Sequence, residues 1–374
     1  MKHRLNYFLF FLIVFILCFG MIFLACLSAS ASLQRFGNTH HFIFNQLING
    51  LFAIALALIA YFIPLVFWKK WAPLLLFLNL IAMFFVFIPG IGIKAGGASR
   101  WFGVGFTSVQ PSEFLKITSI LYLSAWIASK LSDTNVSDWK SITKKGYHNL
   151  IYILFPFLIF LGVIFGALYL QSDVSTMGII TLTLLALYFS AKTPLWHTLF
   201  IVAGGLSTLL FMVRFEPYRL SRWFIFLNPE ADPLGKGYQL RQSVISLGSG
   251  GFFGKGLGMS TQKFGYLPEA MTDSIFAIVG EELGFIGTLI IILSFILFLW
   301  MGISIAKKSV DRFSKMAAIG IVVWITLQAF INIASSVGFF PMTGVPLPFF
   351  TYGGSHLAAE LFAIGFLLNI SKNT

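Results

Sequence analysis

The chain has 374 residues, of which 58% are hydrophobic, 17% aromatic and only 10% charged, with a mean hydropathy of +0.89. A soluble domain carries about a quarter charged residues, so a water-exposed globule is excluded; disorder and a disulfide scaffold fail on the same composition. The net charge of +12 is divided among short segments between apolar runs, the distribution of charge that orients membrane spans rather than of a nucleic-acid surface.

Apolar runs of about 17–25 residues, the length that crosses a bilayer, recur ten times, at roughly 6–27, 47–67, 72–89, 112–129, 149–170, 177–190, 194–213, 274–302, 316–337 and 356–370. The first run precedes Ala29-Ser30-Ala31, a signal-peptidase-like triplet. It is longer than the roughly 7–15 residues of a signal segment, so a retained helix is expected. Cys18 and Cys26 lie in that run; eight positions on a helix rise about 12 Å, too far for a disulfide. The chain therefore reads as an all-α polytopic membrane protein, one integral domain over 1–374. One long loop, about 214–273, joins spans seven and eight.

The cations set the direction. With the N-terminus in the cytoplasm, 14 Lys and Arg fall on inner segments, among them Lys2, Arg4, Lys69, Lys70, Lys140, Lys144, Lys145, Lys192, Lys307, Lys308 and Lys315. Three (Arg35, Lys94 and Arg100) fall on short outer loops. Both termini are expected in the cytoplasm, with the chain in the cytoplasmic membrane. Of the acids, only Asp133, Asp138 and Asp311 are on the inner side. The others lie in outer loops or within helices, where an ionisable group is a functional candidate by default. Chemistry belongs to the outer face.

Along the chain, Glu113 and Lys116 stand three apart at the start of the fourth span, on one helix face. Two readings stand: an ion pair that holds helices together, or a role at a substrate. Asp173 is expected to cap or turn. In the long loop, Pro217-Tyr218-Arg219 and Arg222-Trp223-Phe224 suit a membrane interface. The stretch Gly248 to Gly258 holds six glycines in eleven residues. Such a loop can aim N–H groups at a phosphate, with Arg241, Lys255 and Lys263 adding positive charge, although turns alone would explain the glycines. It is not a Walker A sequence, because Gly256 follows Lys255 where Ser or Thr is required. Glu281 and Glu282, flanked by Gly280, Gly284 and Gly287, are expected to satisfy polar groups in a closely packed bundle, and Glu360 to face the interior. His40, His41 and His356 have no ligand spacing. Asp273 ends the long loop after Glu269 and Thr272, where the eighth helix begins. It is either a helix N-cap or a water-accessible carboxylate held for catalysis.

Four stretches bear on that choice: Gln110-Pro-Ser-Glu-Phe-Leu-Lys116, Gly237-Tyr-Gln-Leu-Arg-Gln-Ser243, Leu267 to Ala277 with Gly280-Glu-Glu-Leu-Gly284, and Gly344 to Ser355. Together they resemble the SEDS family of bacterial cell-wall proteins (shape, elongation, division and sporulation), in order from about residue 90 to the C-terminus. Gln262-Lys263 before Tyr266-Leu-Pro-Glu is more similar to the division type than to the elongation type.

The resemblance implies a peptidoglycan glycosyltransferase that polymerises lipid II on the outer face of the cytoplasmic membrane. It also implies a class B penicillin-binding protein as the transpeptidase partner, with other division proteins. It maps the family's catalytic aspartate onto Asp273 and its important Glu and Lys onto Glu113 and Lys116. Arg241, Lys255, Lys263 and Glu269 are then expected to support the substrate. The chain departs from the pattern at Ser172 (in Gln171-Ser172-Asp173, where Pro usually precedes Asp), Ser175, Ser274, Thr351 and His356, none of which removes an ionisable group. Glycosyl transfer needs a base for the acceptor hydroxyl and a means to stabilise the departing diphosphate. For the second task the expected means are the basic loop residues, the glycine N–H groups, or a divalent cation such as Mg or Mn held by carboxylates. The competing readings are a lipid II flippase and a non-catalytic division scaffold.

Overall fold

The computed structural model describes residues 6–95, 98–104, 107–130, 150–191, 193, 196–215, 225–232 and 235–372. Lys2, Arg4, Asp133, Asp138, Lys140, Lys144, Lys145, Lys192 and the aromatic-basic stretch at 217–224 lie outside the described residues. Among the described residues, ten long helices overlap the predicted runs: α1 (Tyr7–Phe36), α2 (His41–Phe62), α3 (Leu65–Phe85), α4 (Pro111–Lys130), α5 (Phe155–Leu170), α6 (Val174–Ser190), α7 (Trp196–Phe215), α9 (Ile275–Lys308), α10 (Arg312–Ser336) and α11 (Gly354–Ser371). A π-turn, Leu150–Leu154, leads into α5. Seven of the described helices are long and apolar enough to cross a membrane. The protein is a multi-pass membrane protein with an all-α fold.

Three features depart from the sequence reading. α2 and α3 start six or seven residues earlier than expected, because the break between them is set by Pro64, the N-cap of α3, and not by the charges. Lys69 and Lys70 therefore sit in the first turns of α3 rather than in a loop. Lys70 is exposed, as a lysine with a long apolar stem allows. Second, the segment between α3 and α4 forms a small antiparallel sheet, β1 (Gly92–Ala95), β2 (Ala98–Val104) and β3 (Thr107–Val109), in the order β1-β2-β3. Gly92 pairs with Phe102 and Phe102 with Val109, and a bulge lies at Ile93/Lys94. Gly96-Gly97 between the two runs was the available hairpin signal. Third, the long loop contains a helix of its own, α8 (Lys236–Ser249), between the 3-10 turns Pro229–Ala231 and Gln262–Phe264.

The chain forms two compact units. One comprises Met1–Phe62, Tyr218–Ile305 and Ile325–Thr374, the other Ile63–Pro217 and Ala306–Trp324. In the first, α2 and α11 pack at backbone range: a Cβ on Gly365 would come within 2.1 Å of the Ala57 carbonyl oxygen. That is the close approach small residues permit between membrane helices. Polar groups join the same pair, with Asn369 Nδ2 donating to the Ala60 carbonyl at 2.9 Å and Lys372 Nζ to that of Tyr61 at 2.8 Å. In the second unit, Asn79 Nδ2 on α3 donates to the Pro111 carbonyl at the start of α4. Asp173 caps α6 through the Thr176 N–H, as expected, and also accepts from Ser112 Oγ at 3.0 Å, tying α6 to α4.

Candidate active site

Asp273 lies in the first unit, at the end of a tight turn. Glu269 takes a left-handed backbone conformation (φ 52°), and its carbonyl accepts the N–H groups of both Thr272 and Ser274 at 3.1 Å. Upstream, Leu267 is buried with Leu27, Ala277 and Ile278. Downstream, Asn332 Nδ2 on α10 donates to the Asp273 carbonyl at 2.9 Å and to that of Val345 at 2.7 Å. The Tyr352 N–H donates to the Met271 carbonyl at 2.9 Å. The backbone around Asp273 is thus held by α9, α10 and the 344–353 segment together.

The side chain is half-buried. It accepts no N–H of the first turn of α9; in that turn the Ala277 N–H pairs with the Ser274 carbonyl. The carboxylate instead accepts from the Thr272 hydroxyl at 2.7 Å and from Gln239 of α8. The helix-cap reading is therefore not what the structure shows. Gly344 stands beside it, and a Cβ there would lie 3.6 Å from Oδ2. Burial pushes the Asp273 carboxyl above the usual carboxylate range, and the like charge of Glu269 pushes it the same way, against the hydrogen bonds from Thr272 and Gln239. Thr272 Oγ1 is also 2.8 Å from Glu269 Oε2. A hydroxyl has one proton to donate, so Thr272 is a single donor shared between the two carboxylates.

α8 positions Gln239 through an unusual burial pattern. Ser243 and Ser246 are buried and donate to the Ser336 and Ala277 carbonyls at 2.8 and 3.0 Å, while Gln239 donates to Ser274 Oγ. Positions 239, 243 and 246 share one helix face. This polar stripe docks the helix together with Leu240, which is buried, and Leu247, which packs against the Leu27, Leu267, Ala277 and Ile278 cluster.

Of the two readings of the glycine-rich stretch, a phosphate cradle or turns alone, the structure shows turns whose N–H groups are paired within the protein. α9 breaks at Gly284 (φ 67°, ψ −162°), and the loop backbone fills the break. A Cβ on Gly254 would meet the Glu282 carbonyl at 2.1 Å, and one on Gly284 the Gly254 nitrogen at 2.4 Å. The N–H groups of Lys255 and Gly256 donate to the Glu281 and Glu282 carbonyls, each at 3.0 Å. The two carboxylates collect most of what remains. Glu282 accepts from the Gly258 and Ser260 N–H groups, and Glu281 from the Thr261 N–H and from the Ser260 and Thr261 hydroxyls. Lys255 Nζ pairs with Glu281 at 2.7 Å and Lys263 Nζ with Glu282 at 3.5 Å. These lysines neutralise buried glutamates. Gly280 and Gly284 admit the loop and α8 rather than a neighbouring span. Arg241 is exposed and makes no ion pair among the described residues.

In the second unit, Glu113 and Lys116 form a closed pair, with Nζ 3.0 and 2.8 Å from the two carboxylate oxygens and the Lys116 side chain 2% exposed. The Lys116 ammonium also lies 5.6 Å from the Trp324 ring centroid. Glu360 is buried and accepts from the Phe349 N–H and from Gln328, fixing the turn before α11. Among the described residues there is no group of three or more His, Cys, Asp or Glu placed to hold a metal ion. Sequence reasoning missed Asn332 and Gln239. A lone Asn within the apolar run of α10 is itself a signal, since polar groups in spans are costly.

The sequence profile of the FtsW/RodA/SpoVE family, described as cell cycle proteins, matches residues 7–374. The chain belongs to this family. Stage V sporulation protein E of Bacillus subtilis is 38% identical over 361 residues, covering 96% of this chain and 94% of that protein. Proteins named probable peptidoglycan glycosyltransferase FtsW are similarly related: that of Trichlorobacter lovleyi is 38% identical, covering 96% of this chain and 91% of its own length. The family fold is shared with a chain from a structure on the coordination of polymerization and crosslinking by a peptidoglycan synthase complex (TM-score 0.77, 22% identity, 98% of each chain). It is also shared with the rod shape determining protein RodA of Thermus thermophilus (TM-score 0.69, 21% identity, 98% and 97%).

Proposed function

We propose that Asp273 is the general base of a lipid II polymerase. Family membership and the FtsW relatives make the protein a peptidoglycan glycosyltransferase acting in cell division. The observation that supports the residue assignment is a carboxylate held by side-chain donors and not by the N–H groups of the helix that follows it. Its backbone is fixed by Asn332 and Tyr352, while its side chain serves no helix N–H. In the reaction, Asp273 accepts the proton of the acceptor sugar hydroxyl as that oxygen bonds to the donor's anomeric carbon. The bond from that carbon to the lipid diphosphate breaks, and the electron pair leaves with the diphosphate. A raised carboxyl pKa suits this task, because a base is most effective when its pKa approaches the working pH.

Arg241, exposed on the helix that carries Gln239, is a basic loop residue available to meet the departing diphosphate. Glu269, whose carboxylate lies 2.8 Å from the Thr272 hydroxyl, suits the one carboxylate that Mg²⁺ uses together with substrate phosphates, leaving Asp273 to take the proton. A divalent cation held there would neutralise diphosphate charge. The partner is a class B penicillin-binding protein that cross-links the new strand, alongside other division proteins. The positive-inside bias puts both termini in the cytoplasm and Asp273 outside; a reporter fused after Lys315 should read as cytoplasmic.

The test is Asp273→Asn, assayed for polymerisation with purified protein, partner and lipid II beside a liposome flipping assay. Asn keeps the size and turn geometry but cannot take the proton. The polymerisation rate should fall by about 10²–10⁴, with expression and partner binding retained. A near wild-type rate would transfer the base role to Glu230, Asp232 or Glu269, and flipping without polymerisation in the wild type would replace the enzyme with a transporter.

A further inference from the structure

The glycine-rich segment between α8 and Asp273 exposes a set of large apolar side chains: Phe252, Phe253, Leu257, Met259, Phe264 and Tyr266, with Phe252 71% and Phe253 82% exposed. A connecting segment that runs through water has no reason to carry them. Nor is the segment loosely attached, since its backbone is built into the break of α9 at Gly284.

Three observations set its surroundings. The first is depth. The continuous part of α9 beyond the break runs from Phe285 to Lys308, about 36 Å at 1.5 Å per residue, against a hydrocarbon core of about 30 Å. With Lys307 and Lys308 at one membrane surface, Gly284 and the loop seated on it stand at the opposite surface. The second is continuity. Ile286, Ile290, Leu293, Leu297 and Trp300 form an exposed stripe along one face of α9, the face a membrane helix turns to lipid. The Phe252 ring meets Phe285, at the end of that stripe, edge-on with centroids 6.0 Å apart. The aromatic surface of the loop thus extends the lipid-facing surface of the span.

The third is backbone satisfaction. Irregular backbone at membrane depth is tolerated only where its polar groups are paired inside the protein. Here the N–H groups of residues 255, 256, 258, 260 and 261 all donate to Glu281 or Glu282, through backbone or side chain.

We propose that residues 250–266 are a membrane-seated loop, with Phe252 and Phe253 in contact with the bilayer lipids of the leaflet opposite Lys307 and Lys308. The glutamate pair is the device that lets a glycine-rich loop occupy that level. This inference rests on the membrane-spanning nature of the chain and not on the catalytic reading, so each can fail without the other.

The experiment uses the full-length protein with Cys18→Ala and Cys26→Ala, spin-labelled at single cysteines and reconstituted in phosphatidylglycerol–phosphatidylethanolamine vesicles without polyprenyl lipid. Collision with oxygen, which partitions into lipid, is compared with collision with a water-soluble nickel chelate. Leu293→Cys and Glu230→Cys supply the lipid and water references, and their separation confirms that the preparation is folded. Phe253→Cys, nearer the surface than Leu293, should give an oxygen-to-nickel ratio well above that at Glu230 and below or equal to that of the Leu293 label. A ratio equal to that at Glu230 overturns the proposal. So does protection from nickel that appears only on adding lipid II or the penicillin-binding protein, which would assign the surface to substrate or partner.

Discussion

Removing Glu113 takes away the carboxylate that neutralises the buried Lys116 ammonium. The lysine side chain is 2% exposed, and its ammonium is held by both carboxylate oxygens of Glu113 at 2.8 and 3.0 Å. Breaking a buried pair from one side leaves an uncompensated charge, which costs about 3–5 kcal/mol. The Trp324 ring at 5.6 Å offers a cation–π contact worth about 2 kcal/mol when desolvated, already present in the wild type and so no replacement for the carboxylate. Glu113→Ala should therefore lower unfolding stability by about 3–5 kcal/mol, read by equilibrium unfolding of the purified protein in detergent. Removing both charges tests the cause, because replacing a buried pair with neutral groups of similar volume is often neutral or stabilising. Glu113→Gln combined with Lys116→Met should recover most of the lost stability. A loss below about 1 kcal/mol for the single variant, the worth of an exposed pair, would refute the reasoning. A double variant as unstable as the single one would refute it equally. Polymerisation by the stable double variant separates the two roles: retained activity makes the pair structural, and lost activity places it at the substrate.

The pH dependence has a definite sign. A base acts ionised and Asp273 is raised above the ordinary carboxylate range, so the polymerisation rate should fall with decreasing pH well before pH reaches about 3.9. Glu269→Gln, which removes a like charge, should move that acid limb to lower pH; an unmoved limb would show that Glu269 does not tune the base. In the loop, Gly251 and Gly254 both have positive φ, but a Cβ on Gly251 meets open space and one on Gly254 meets the Glu282 carbonyl at 2.1 Å. Gly251→Ala should cost about 1–2 kcal/mol for its left-handed backbone. Gly254→Ala should cost a further 1–3 kcal/mol or so for overpacking, measured by the same unfolding assay.

Hydropathy alone located ten helices, because in a bilayer each span must satisfy its own backbone and bury its own apolar length, and that information is local. The cap at Asp173 and the interior position of Glu360 were legible for the same reason: a short acidic turn and a lone acid in an apolar run each have few solutions. Where two segments far apart in sequence must meet, the chain alone was ambiguous. Gly248 to Gly258 carries the composition of a phosphate loop, and only the tertiary structure shows Glu281 and Glu282, more than 20 residues downstream, taking the N–H groups and lysines that a phosphate would have used. At Asp273, position allowed a cap or a base. The choice fell to contacts made by Gln239, Asn332 and the 344–353 segment, which hold the turn so that the carboxylate is not spent on the helix. A carboxylate's partners depend on which distant donors reach it, and that is settled by packing rather than by the residues on either side.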